Sequence, residues 1–175
     1  MDTLYAIVWL FPIIFMIHDF EEIIFTGTWK KRYKKACKES KMKKVPFSDF
    51  VSTSSFSCAV AEEFIIFSMV TFLSCYFNNY VAWYGLFFAI VLHFVIHFVL
   101  SLKFRHYVPG LVTSIIFLPF SIYILYIVTE MNKYSWQTIC LSSIIGFIIV
   151  LLNIAILHKM MSKFSNYLKK FAKES

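Results

Sequence analysis

Apolar residues run along the chain in five long blocks, at about 5–25, 51–77, 80–102, 108–128 and 138–158, with short polar breaks between them. A hydrocarbon core about 30 Å thick takes roughly 20 helical residues to cross, and each block meets that length. Asn78-Asn79 and Met131-Asn132-Lys133 mark tight turns. The pattern predicts an all-α fold, a polytopic membrane bundle of about five transmembrane helices forming one domain over residues 1–158. Beyond it, Met161, Phe164, Tyr167, Leu168 and Phe171 recur at helical spacing with lysines on the remaining circumference. That pattern predicts a C-terminal amphipathic surface helix over 159–175, lying on anionic lipid.

Charge orients the bundle, because cytoplasmic loops collect Lys and Arg. The first connection, 27–49, holds nine basic residues: Lys30, Lys31, Arg32, Lys34, Lys35, Lys38, Lys41, Lys43 and Lys44. The next three connections hold none, two (Lys103, Arg105) and one (Lys133), and the tail holds five (Lys159, Lys163, Lys169, Lys170, Lys173). The alternation predicts an external amino terminus and a cytoplasmic carboxyl terminus. The first block follows an acidic Asp2 and precedes no small-residue cleavage pattern, so it is expected to stay as a membrane helix. The formal charge of +7 then belongs to topology and to anionic headgroups as partners, with no nucleic acid implied.

Composition agrees: 59% of residues are hydrophobic and 15% charged, against 45–50% and about 25% in soluble domains. No stretch is long enough for a water-soluble enzyme domain. The 21 Phe and 4 Gly suit lipid-facing surfaces more than tight small-residue seams, and a homo-oligomer is allowed. Cys37, Cys58, Cys75 and Cys140 lack the spacing of a disulfide or zinc-knuckle framework. The expected location is the cell membrane of a bacterium, as a multi-pass protein.

Five acids interrupt the apolar blocks: Asp19, Glu21 and Glu22 in the first, Glu62 and Glu63 in the second. Each costs a few kcal/mol at the bilayer centre unless neutralised or paired. No Lys or Arg lies inside any block, so protonation, water or bound cations must compensate. Histidines point to cations. His18 precedes Glu21 and Glu22 by three and four residues, which puts all three within about 100° of arc on one helix face. His93 and His97 in the third block are also four apart. An imidazole and a carboxylate, or two imidazoles, one turn apart form a helical chelate for zinc or iron. Counted from the basic ends of their helices, the three sets lie at compatible depths, between the midplane and the cytoplasmic interface. Asp19 is expected beside the site, and His106 and His158 in solvent.

These residues resemble the HXXEE integral membrane family, named for the run that here reads His18-Asp19-Phe20-Glu21-Glu22. An Ala-x-x-Glu-Glu-like element corresponds to Ala59-Val60-Ala61-Glu62 followed by Glu63. An Asn-Ala-Met-Gln-His element corresponds to His93-Phe94-Val95-Ile96-His97, and Tyr-x-Pro-Gly to Tyr107-Val108-Pro109-Gly110, followed by Thr113. His93 replaces the family's Asn, which makes His97 the safer ligand of the two. The resemblance implies a membrane protein with a metal-type site and leaves its reaction open.

The expected chemistry is that of a metal-dependent hydrolase acting on a lipid or other apolar substrate from the cytoplasmic half of the bilayer. His18, Glu22 and His97 would hold zinc with an open position, with Glu62 and His93 as further candidate ligands. Glu21 or Glu63 would act as general base and Tyr107 as donor to a developing oxyanion. Alternatives are a dinuclear iron or manganese oxidoreductase, since four glutamates with two or three histidines approach a di-metal ligand set, and a proton- or cation-coupled transporter.

Overall fold

The structure is a computed structural model that describes residues 2–40, 42 and 45–172. Lys41, Lys43, Lys44 and Lys173 of the basic segments lie outside the described residues. The described residues form helices only: α1 (Asp2–Val8), α2 (Leu10–Arg32), α3 (Lys34–Glu39), α4 (Thr53–Phe77), α5 (Val81–Phe104), α6 (Leu111–Asn132) and α7 (Trp136–Phe171). Five of the resulting segments are long and apolar enough to cross a membrane, with α1 and α2 together forming the first.

Local chemistry sets the breaks. Pro12 has no N–H to give the carbonyl four residues back, and the helix interrupts at Trp9. The freed Val8 carbonyl accepts the indole N–H of Trp83 at 3.0 Å, which ties the end of α1 to α5 inside the core. Ser52 caps α4 by accepting from the Ser55 amide. Asn78 and Lys133 end α4 and α6 in the left-handed conformation. Gly110, also left-handed at φ 86°, starts α6.

The helices reach beyond the apolar blocks at the basic end. α2 continues to Arg32, because lysines and arginine extend a helix readily once it leaves hydrocarbon. The separate surface helix expected over 159–175 is not a separate element. Residues 159–171 are the last turns of an unbroken α7 of 36 residues. No Gly or Pro stands between His158 and Phe171 to interrupt it.

Contacts sort the connections to two ends. Trp29 packs on Phe104, Tyr33 on His106, and Asp49 pairs with His158. These contacts gather the basic connection, the α5–α6 turn and the tail at one end. At the other end Tyr5 bonds Asn78 and Tyr84 packs on Tyr134. α5 and α7 therefore run parallel. They touch backbone to backbone near the non-basic end, where a Cβ on Gly85 would collide with the Ser142 carbonyl and one on Gly146 with the backbone of Gly85. Toward the basic end residues of both line the cavity described below. Phe11, Phe67, Trp83 and Phe87 fill the centre with tilted, stacked and edge-on ring contacts.

Candidate metal centre

α2 and α5 present the four groups. On α2, His18 and Glu22 are one turn apart; on α5, His93 and His97 are one turn apart. Glu22 Oε1 lies 2.7 Å from His97 Nε2, 3.6 Å from His18 Nε2 and 3.7 Å from His93 Nε2. One ligand atom from each of the four can be chosen so that all lie within 4.8 Å of one another. In a tetrahedral site with bonds of 2.0–2.1 Å, ligand atoms stand about 3.3 Å apart, so the set is close enough that it could draw in around one ion. The side chains of His18, Glu22 and His97 are 0%, 5% and 4% exposed, whereas His93 is 32% exposed. Three groups are sealed in and the fourth faces an opening.

The motif's other glutamate does different work. Glu21 accepts from the Tyr107 hydroxyl at 2.6 Å, the Thr113 hydroxyl at 2.6 Å, the Thr113 amide at 2.8 Å and the Val112 amide at 3.3 Å. An ionised carboxylate accepts about four hydrogen bonds, and this one takes four while binding the open amides at the start of α6. Thr113 gives its single proton to Glu21, so its oxygen accepts from His18 Nδ1, 2.9 Å away. The proton on His18 is thereby held at Nδ1 and the lone pair at Nε2 faces Glu22. A histidine oriented through its second nitrogen is the usual partner arrangement at metal sites. Gly110 completes the fit: a Cβ there would stand 2.8 Å from His97 Nδ1 and Cε1 and 3.0 Å from Glu22 Oε1.

Sequence reasoning grouped more residues than the structure brings together. His18, Glu22, His93 and His97 converge, and His93, the weaker candidate by resemblance, stands in the cluster beside His97 at 2.9 Å. Glu62 turns away and accepts from Asn153 of α7 at 3.1 Å. Glu21 and Tyr107 are bonded to each other, which occupies the proposed base and the proposed oxyanion donor. Burial, and then the Glu21 carboxylate, push the Tyr107 hydroxyl above its ordinary range, so it stays a donor. His106 is exposed, as is His158 with its Asp49 contact at 3.4 Å.

Two features escaped the sequence. Asn153 is one; an amide inside an apolar block was the signal for it. The other is the turn at 46–49, which lies over the site. Lys30 Nζ donates to the Phe47 and Phe50 carbonyls, both at 3.1 Å, and Phe47 takes a positive φ of 54°. Beneath this turn lies a cavity of about 400 Å³ with Asp19, Glu22, Glu63, His93 and His97 in one wall, the turn with Ser48 and Asp49 above, and mostly apolar residues of α4, α5 and α7, with His158, in the rest. Asp19 is buried, and its Oδ2 has no hydrogen-bond partner among the described residues.

A family model described as a protein of unknown function with HXXEE motif matches residues 9–124, which include the whole cluster and the α5–α6 turn. No curated protein and no solved structure matches the chain.

Proposed function

The chain belongs to the HXXEE-motif family, and from that premise we propose that it is a metal-dependent integral membrane hydrolase acting on an apolar substrate. The observation that carries the reading is the convergence of His18, Glu22, His93 and His97 beside a cavity of about 400 Å³. His18, Glu22 and His97 would hold a divalent ion, zinc by the chemistry of two imidazoles and a carboxylate. His93, partly exposed, is the group that leaves a position accessible from the cavity. When bound, the ion supplies a Lewis acid that polarises a substrate oxygen and makes water a better nucleophile.

The chain's own residues do the rest. Glu63 lines the cavity and accepts the proton of the attacking water at its carboxylate. His93 holds a proton at Nε2 for the departing atom. The apolar walls exclude bulk water, which strengthens each of these interactions. Thr113 and Glu21 keep His18 in the tautomer that the centre needs.

The loop charges favour an external amino terminus and a centre in the cytoplasmic half of a bacterial cell membrane, with anionic lipid at the basic end. Reporter fusions after Asn79 and Lys133 should then read as external, and fusions after Lys38 and Lys170 as cytoplasmic.

The hydrolase is tested with purified protein and a chromogenic acyl ester. Turnover should vanish on chelation, return with zinc, and be lost in Glu63→Gln while the ion is retained. Turnover indifferent to chelation would overturn the reading. A second reading rests on Asp19, whose unpartnered Oδ2 beside Glu63 suits passage of a proton or cation; uptake into proteoliposomes tests it. A dinuclear iron or manganese centre would need Glu21 or Glu62 to leave the bonds described above, and iron content tests that.

A further inference from the structure

The cavity has a second property, the distribution of charge along its length. Most of its polar groups gather at one wall, where Asp19, Glu22 and Glu63 stand with His93 and His97; Ser48, Asp49 and His158 line it at the turn above, where Asp49 and His158 face each other at 3.4 Å. No Lys or Arg lines it among the described residues. Lys30, at the turn above, commits its ammonium to the carbonyls of Phe47 and Phe50. From the polar wall the cavity follows α7 from Phe147 to Met161, a rise of about 21 Å at 1.5 Å per residue. Val150, Ile154 and Leu157 supply apolar surface along that length. Its side is open: Ile96 and Leu151 line the cavity yet remain 43% and 47% exposed on the flanks of α5 and α7. The opening lies on the basic-end side of the Gly85–Gly146 contact, where residues of both parallel helices line the cavity.

These features select a ligand. Sites that bind phosphate present arginine, lysine or clustered backbone amides. Here no Lys or Arg lines the cavity among the described residues, so an anionic phosphate would meet carboxyl groups without the cationic side chains that hold it elsewhere. An uncharged carbonyl needs no such cation. A long apolar groove opening sideways suits one hydrocarbon chain entering from the bilayer.

We infer that the substrate is a long-chain acyl compound with an uncharged ester or amide carbonyl, entering laterally between α5 and α7, and that phosphoesters are excluded. The inference rests on the hydrolase reading for its chemistry, but its binding claim stands apart from it. In the reaction the water oxygen bonds to the acyl carbon and the bond from that carbon to the alkoxy or amino atom breaks. Glu63 takes one proton from the water, His93 gives one to the departing atom, and transfer of the proton from Glu63 to His93 restores both, so that no oxidant or reductant takes part.

The test uses the full chain, purified in detergent and loaded with zinc. Binding is read as the shift in thermal unfolding with a dodecyl trifluoromethyl ketone, an uncharged carbonyl mimic, and with dodecyl phosphate. Turnover is read in the same micelles with the dodecanoyl and butanoyl esters of p-nitrophenol and with p-nitrophenyl dodecyl phosphate. The ketone should stabilise and the phosphate should not. The dodecanoyl ester should be cleaved and the phosphodiester should not. Ile154→Trp and Val150→Trp, which narrow the groove, should each lower the ratio of dodecanoyl to butanoyl turnover by about tenfold. Two variants are used so that one misfolded protein does not decide the outcome, and helix content and bound zinc are measured on both. Stabilisation by the ketone without ester cleavage would support the binding site and overturn the hydrolase. Equal or stronger stabilisation by the phosphate, no binding of either probe, or an unchanged ratio in both folded variants would overturn the inference.

Discussion

Thr113→Val isolates the link between the HXXEE motif and the α6 start. The substitution exchanges a hydroxyl for a methyl and leaves the backbone amide that Glu21 accepts at 2.8 Å. It removes the 2.6 Å bond to Glu21 Oε2 and the 2.9 Å acceptor of His18 Nδ1. A hydrogen bond to a charged group contributes about 1.5–3 kcal/mol, part of which acts on His18 only through its orientation. At about 1.4 kcal/mol per factor of ten, zinc affinity should fall roughly ten- to a hundredfold, the range found when the partner of a metal-bound histidine is removed. Competition against a chromophoric zinc chelator in detergent measures it. Thr113→Ser restores the hydroxyl and should bind within about threefold of the natural protein, since the lost methyl touches neither bond. Val and Thr proteins that bind zinc equally well would refute the argument, because His18 would then need no partner at Nδ1.

Other predictions follow from the same geometry. Gly110→Ala places a methyl against His97 and Glu22 at φ 86°, costing about 1–2 kcal/mol in backbone strain and about 1–3 kcal/mol in overpacking. It should lower both the unfolding temperature and zinc content. Gly27→Ala, whose Cβ would meet Thr53 Oγ1 at an ordinary 3.7 Å, should instead stabilise by up to about 1 kcal/mol. Among the carboxylates, Glu22→Gln should abolish zinc binding, Glu21→Gln should weaken it through Thr113, and Glu62→Gln should leave it unchanged; any other order in zinc titration contradicts the assignments. Tyr107 carries a sign that can be checked. Its folded pKa is raised above 10.0, so its contribution is complete below the unfolded value and is lost progressively as pH rises from there through the folded one. The stability difference between the natural protein and Tyr107→Phe should therefore stay flat from about pH 6 to about pH 9, and a difference that shrinks across that range in thermal unfolding would refute it.

The blocks of apolar residues located the five helices long and apolar enough to cross a membrane, because block length and helix length answer to the same dimension. Helix ends were less legible. Nothing in a hydropathy pattern distinguishes a lysine that closes a helix from one that extends it, and α2 and α7 both extend. The pairs His18–Glu22 and His93–His97 were legible because i, i+4 spacing fixes a shared face without tertiary information. The fate of Glu21 was not, because it depends on a turn at 105–110 that lays the start of α6 against α2. Glu62 and Glu63 are neighbours whose side chains leave the helix about 100° apart. Only the position of α7, with Asn153 on it, decides that Glu62 leaves the site while Glu63 lines the cavity.

The central claim is that His18, Glu22, His93 and His97 form one metal centre, with His93 dispensable for holding the ion. Elemental analysis of protein purified after zinc supplementation tests it most directly. The geometry predicts one ion per chain, lost in His18→Ala, Glu22→Gln and His97→Ala and retained in His93→Ala. An equal ion content in the natural protein and in all four variants, or no bound ion in any of them, would contradict it.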